Sequence, residues 1–365
     1  MTFKKTRIVS FFQGLLLFLV FWTTKKPLVF LLDDASNDVI YVLGVLLVFL
    51  TFILSWILLR IGKLEAVIFQ SVIMLIILTM AMSDGALFGV YKGFSIILML
   101  NFMVMIYLLN RQAFNVEIIL LTMAGCFLFY GIVSGLWLFV IGYDLKLRET
   151  IGFNGPIVFG QYMIISFTIY LLYGHKLKAP IAVSLSYLSL SKGPILGGFL
   201  AFYLDSKNKF KLAVISVPLL AASVSIFEFD SRAFSWLSLD SFESLLALSS
   251  VSSRVDAYVQ GYHLLSESFM GLGWGGWSKI SYLRYPHNIF LEILVEPPLL
   301  LGLFLLSFMC LVFYYIKDRR YRILLCVMLF MAQFSGSIVD NRGVFFISML
   351  FSLVCPVFER RVKDL

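Results

Sequence analysis

Charged side chains are scarce here: they make up 14% of the 365 residues, where soluble domains carry nearer a quarter. Hydrophobic residues rise to 61%, and no stretch of about 100 residues could be cut out as a soluble domain. A soluble globular class is therefore excluded. Ten-residue segments of alternating polarity are missing, which excludes a transmembrane barrel. Cysteine is confined to Cys126, Cys310, Cys326 and Cys355, all inside apolar segments. A disulfide framework needs pairs in oxidised polar loops, so these read as buried packing thiols. No small-residue cleavage site follows the first apolar run, 8–22, before Lys25, and the run reads as a retained helix. Internal repeats are absent, and only one helix break, at Lys192, is apparent, where a transporter built from repeats shows paired breaks.

What remains is a succession of apolar runs near the 17–25 residues that a bilayer asks of a helix. They fall at 8–22, 39–59, 65–82, 93–109, 117–141, 156–173, 180–191, 194–204, 211–227, 287–316, 323–339 and 343–358. Only helices or closed barrels satisfy backbone groups in lipid. The expected fold class is all-α: a polytopic integral membrane protein, one domain over 1–365, with about 12 transmembrane helices. Net charge +8 reflects basic cytoplasmic loops and not nucleic-acid binding.

The runs at 180–191 and 194–204 meet at Ser191-Lys192-Gly193-Pro194 and read either as one kinked helix or as two short ones. His175-Lys176-Leu177-Lys178 and Lys207-Asn208-Lys209-Phe210-Lys211 both read as cytoplasmic, so an even number of crossings separates them. Two short helices satisfy that parity and put Lys192 at or just below the outer face. Both termini then lie in the cytoplasm, most of the 29 Lys and Arg lie inside, and one long polar loop, 228–286, faces the periplasm.

That loop has structure of its own. Ser253-Arg254-Val255-Asp256 opens like a helix N-cap, and Val255, Val259, Tyr262 and Leu265 or Ser266 continue at helical spacing. The pattern predicts an amphipathic helix on the outer surface. Gly271-Leu272-Gly273-Trp274-Gly275-Gly276 matches GxGxxG in form only, because a dinucleotide site needs a βαβ unit around it. Its glycines serve a tight turn or close approach to a ligand. Trp274 and Trp277 either stack on sugars or join the interfacial aromatic belt.

The loop ends in Tyr285-Pro286-His287-Asn288, with Arg284 just upstream and Glu292 and Glu296 on one helical face downstream. An imidazole titrating near neutrality suits a general base acting on a hydroxyl. Lys192, Arg254, Arg284 and Arg148 are the candidate cations for an anionic lipid, since guanidinium and ammonium groups bind pyrophosphate oxygens through charge-assisted hydrogen bonds. Asn288, Glu292, Tyr258 and Trp274 are the candidate supporting and substrate-binding residues. No metal and no cofactor is expected.

Ser253-Arg254 through Gly271-Leu272-Gly273, followed by Pro286-His287-Asn288-Ile289-Phe290-Leu291-Glu292-Ile293-Leu294-Val295-Glu296, resembles the signature region of bacterial O-antigen polymerases and ligases. Leu190-Ser191-Lys192-Gly193-Pro194 resembles the family's Ser-Arg-Gly element. The likeness covers roughly 186–316. It implies a metal-independent glycosyltransferase of the bacterial inner membrane that moves a glycan from undecaprenyl diphosphate to a sugar hydroxyl at the periplasmic face. His287 would be the base, with Arg254 and Lys192 clamping the leaving diphosphate. Two departures are Lys192 in place of an arginine, which loses the bidentate fork, and Pro297-Pro298 in place of a glycine, which breaks the helix by another device. The implied partners are the lipid-linked oligosaccharide and membrane lipid, with a chain-length regulator and a flippase as further candidates. The modest length points to a polymerase. The alternatives are an O-antigen ligase acting on lipid A–core and a non-catalytic carrier of lipid-linked sugar.

Overall fold

The computed structural model describes residues 7–8, 10–15, 18, 115–140, 156–189, 191–206, 249–267, 269–281, 285–333 and 341–353. Among them every regular element is a helix and none is a strand, so the architecture is all-α. In chain order the helices are α1 (Val116–Val140), α2 (Pro156–Leu172), α3 (Lys178–Tyr187), α4 (Lys192–Asp205), α5 (Ser249–Glu267), α6 (Trp277–Ile280), α7 (Ile289–Val295), α8 (Leu299–Tyr315), α9 (Arg319–Met331) and α10 (Arg342–Leu353). The apolar segments at 39–59, 65–82, 93–109 and 211–227 lie outside the described residues, as do Arg148, Arg284 and Cys355.

The described helices group into two compact units, α1–α4 with α9 and α5–α8 with α10. In the first, α2 is the central helix, buried continuously from Val158 to Tyr170. A helix buried on all sides carries no polar stripe, and α2 has none. Helix α1 runs antiparallel to it: Gly125 lies beside Tyr170 and Gly131 beside Met163. Phe127 of α1 stacks on Tyr162 of α2, with ring centroids 4.6 Å apart.

Two short helices, not one kinked helix, follow α2. The chain reverses over Leu188–Ser191. Gly160, near the start of α2, lies against Ser189 and Pro194 at this turn, and a side chain there would collide with both. The ten residues of α3 span about 15 Å and the fourteen of α4 about 21 Å. They form a hairpin along α2 whose tip stops about one helical turn inside the first residue of α2. The tip satisfies its own hydroxyls: Ser189 Oγ donates to Ser186 O at 2.6 Å, and Ser191 Oγ donates to Ser189 O at 3.0 Å. At the other end Arg319 Nη2 donates to Leu204 O and Asp205 O at 2.6 and 3.1 Å. This guanidinium covers carbonyls that the last turn of a helix leaves unpaired.

In the second unit the chain breaks between Val295 and Leu299, where Pro297 and Pro298 cannot donate to a helical ladder. Helix α8 buries Leu301, Leu305, Met309 and Val312 on one stripe while Leu300, Phe304 and Leu311 on the other side remain exposed. It is apolar all round. By length and composition Val116–Trp137 is the one helix among the described residues that could cross a membrane, and Ile157–Leu172, Gly193–Asp205 and Leu299–Tyr315 are shorter apolar helices. Cys126, Cys310 and Cys326 carry free thiols, but Cys310 faces outward from α8, which corrects its expected burial.

Candidate active site

The candidate site lies within the second unit, where α5 meets the turn ahead of α7. Helix α5 begins at Ser249, about one turn before the expected cap at Ser253. It packs on α7 through Gly261, whose missing side chain makes room for Leu291, while Ala257 joins Trp277 and Val295 in a small core. Val255, Val259 and Tyr262 form an exposed apolar face, as the periodicity predicted. His263 and Asp256 are exposed as well.

Arg254 and Tyr258 stand one turn apart on α5, a spacing that puts both on one side of the helix. Asn288 caps α7: its Oδ1 accepts from Phe290 N at 2.9 Å and Leu291 N at 3.2 Å. Its Nδ2 donates to the Tyr258 hydroxyl at 3.3 Å, tying α5 to the cap. Of the supporting and substrate-binding roles expected for Asn288, the structure shows a supporting one, the cap of α7.

His287 precedes the cap and has φ +56°, the one positive φ outside glycine among the described residues. The left-handed region costs an ordinary side chain about 1–3 kcal/mol, and histidine tolerates it better than most. The Tyr285 ring meets the imidazole edge to face at 4.6 Å. Nδ1 is buried without a hydrogen-bond partner. Burial is the main cause that lowers the His287 pKa from 6.5 to about 4, and the positive charge of Arg254 lowers it further. The imidazole is therefore neutral at physiological pH. Burial also lowers the Arg254 pKa, with Tyr258 opposing. Arg254 makes no ion pair among the described residues, so an anion entering here would meet a desolvated cation.

The glycine run and the buried carboxylates hold this turn. Gly271, Gly273 and Gly275 have φ of +72°, +75° and +78°. Leu272 N donates to Val295 O at 3.0 Å, and Leu299 N donates to Phe269 O at 3.0 Å. Glu296, fully buried, accepts at Oε2 from Gly275 N at 3.0 Å. The run is thus a clasp on the α7–α8 corner. Trp274 and Trp277 have no exposed surface, which corrects their expected role as sugar platforms or belt residues. Glu292 is also fully buried and engaged within the fold.

Of the expected cations, Arg254 is at the site. Lys192 opens α4 in the first unit. Among the described residues no three His, Cys, Asp or Glu side chains converge to hold a metal ion. Gly261 and the Tyr285 ring are contributors that the sequence reading passed over. A glycine inside an amphipathic helix is the signal that could have flagged the first, since it marks close packing. No family model, no curated protein and no solved structure matches this chain.

Proposed function

We propose that this chain is a polytopic inner-membrane glycosyltransferase of the O-antigen polymerase type, with about twelve crossings, both termini in the cytoplasm and its active site at the periplasmic face. The observation that carries the reading is the neutral, strained His287 beside Arg254, which has no ion-pair partner among the described residues. A general base must be unprotonated at working pH and within reach of its proton, and a diphosphate on Arg254 would offset that residue's charge and move the imidazole back toward the near-neutral range that suits the role. An unsatisfied buried nitrogen is also unfavourable unless a bound donor completes it, which is a reason such groups persist at functional sites. The membrane part of the reading is supported by α8, which is apolar all round yet half exposed, an arrangement that suits lipid better than water.

In this mechanism the lipid-linked donor presents its diphosphate to Arg254, with Arg284 as a further candidate clamp. His287 accepts the proton of the acceptor hydroxyl. The hydroxyl oxygen bonds to the anomeric carbon as the bond from that carbon to the diphosphate breaks, and the electron pair leaves with undecaprenyl diphosphate. Arg254 stabilises that departing charge. Direct displacement inverts the anomeric centre.

The test is the lipopolysaccharide profile of cells carrying His287→Ala at normal expression. Loss of long polymer is expected, and undiminished long polymer would sink the assignment. In a deletion strain, one repeat capped on core marks a polymerase. Absence of attached O-chain with accumulated lipid-linked polymer marks a ligase instead.

A further inference from the structure

A second site lies in the first unit. Helices α2, α3 and α4 enclose an open groove of about 410 Å³. Phe167 and Leu171 of α2, Val183 and Tyr187 of α3, and Phe199 and Phe202 of α4 line it. Its polar groups come from Lys176, Ser186 and the Tyr187 hydroxyl, and Ser186 Oγ is spent within its own helix, donating to Val183 O at 2.6 Å. At roughly 30 Å³ per water-sized group, the volume takes a chain of about a dozen carbons. The groove runs from Lys176 toward Tyr187, which along α3 is roughly 15 Å and matches such a chain in length.

The mouth is basic. Lys178 Nζ sits over the Tyr170 ring at 5.4 Å and Arg320 over the Tyr173 ring at 4.8 Å. Arg319 covers the carbonyl end of α4, where Asp205 is the acidic residue. Those three cations are engaged. Lys176 is exposed, lines the groove and has no ion-pair partner among the described residues. Phe202 toward the mouth and Tyr187 at the far end each remain about two-fifths exposed. An apolar slot with one uncommitted ammonium at its mouth is complementary to an acyl chain bearing a negative headgroup.

We propose that this groove holds one acyl chain of an anionic phospholipid, with the headgroup on Lys176. The proposal rests on the membrane reading above, and it concerns the leaflet on the Lys176 side, away from the hairpin tip. A single surface Lys is worth about 1 kcal/mol to an anionic lipid, or on the order of fivefold in occupancy.

The test uses the full chain in detergent micelles with phosphatidylglycerol or phosphatidylethanolamine carrying a photoreactive group in the acyl chain, and adducts are mapped by mass spectrometry. Adducts should concentrate on Val183, Tyr187 and Phe199, with the anionic lipid exceeding the zwitterionic one on the order of fivefold. Lys176→Glu, an exposed change, should abolish the preference, and Val183→Trp should reduce adducts from both lipids. Equal labelling of the groove by both lipids, or labelling no denser there than on the exposed side of α8, would overturn the proposal. The polymer profile of His287→Ala is read separately, so either reading can fail without the other.

Discussion

The depressed titration of His287 can be measured without knowing the substrate. The chain has three histidines, so a protein labelled only at histidine gives three imidazole signals, and His287→Asn assigns the one of interest. In a pH titration by NMR that signal should move with a midpoint of about 4 instead of 6.5. Arg254→Gln should raise the midpoint yet leave it below 6.5, because burial is the larger cause and persists. The sign for stability follows from proton uptake. Between about 4 and 6.5 the unfolded histidine binds a proton that the folded one refuses, so stability rises with pH across that window. It is complete above 6.5 and lost as pH falls toward 4. The full difference corresponds to about 3 kcal/mol. His287 keeps part of its surface open to water, so screening leaves roughly 1–2 kcal/mol to be seen in unfolding curves. A wild-type midpoint between 6 and 7, or one that does not rise in Arg254→Gln, would refute the reasoning.

Other outcomes follow from the same turn and its supports. His287→Gly should unfold at a higher temperature than His287→Ala, by the equivalent of about 1 kcal/mol, because glycine relieves the left-handed backbone. Gly271→Ala should destabilise by at least about 3 kcal/mol, since its new methyl meets Pro297 O and Glu296 O and its φ stays positive. Gly174→Ala, also at positive φ but with open space around it, should lose only about 1 kcal/mol in the same unfolding assay. Asn288→Ala should lose about 1 kcal/mol by removing the cap of α7, and Asn288→Asp should restore most of it.

The parts of the fold legible in the sequence were those written in charge and proline. The basic clusters at 175–178 and 207–211 favoured two short helices over one kinked helix, and the structure has two, α3 and α4. Pro297-Pro298 required a break, and α7 ends there. The start of α5 was ambiguous because Ser249, Ser250, Ser252 and Ser253 all qualify as caps, and composition alone cannot choose among them. Four-residue spacing put Glu292 and Glu296 on one face but could not say that the face turns inward. The two tryptophans were misread for a similar reason: an indole suits a sugar, an interface or a core equally well until its neighbours are known. At the candidate site, Arg254 and His287 were legible as residue types. The positive φ of His287 and its lowered pKa were not, since the first is a backbone conformation and the second comes from burial and the nearby Arg254.

The bond from Gly275 to Glu296 also bears on what the glycine run can do. In nucleotide-binding proteins a run of this kind offers backbone amides to a phosphate. Here the anion arrives from the same chain, 21 residues downstream, and is sealed from solvent. The protein thus carries its own internal ligand for that loop. The Gly275 amide is thereby spent on a carboxyl of its own chain.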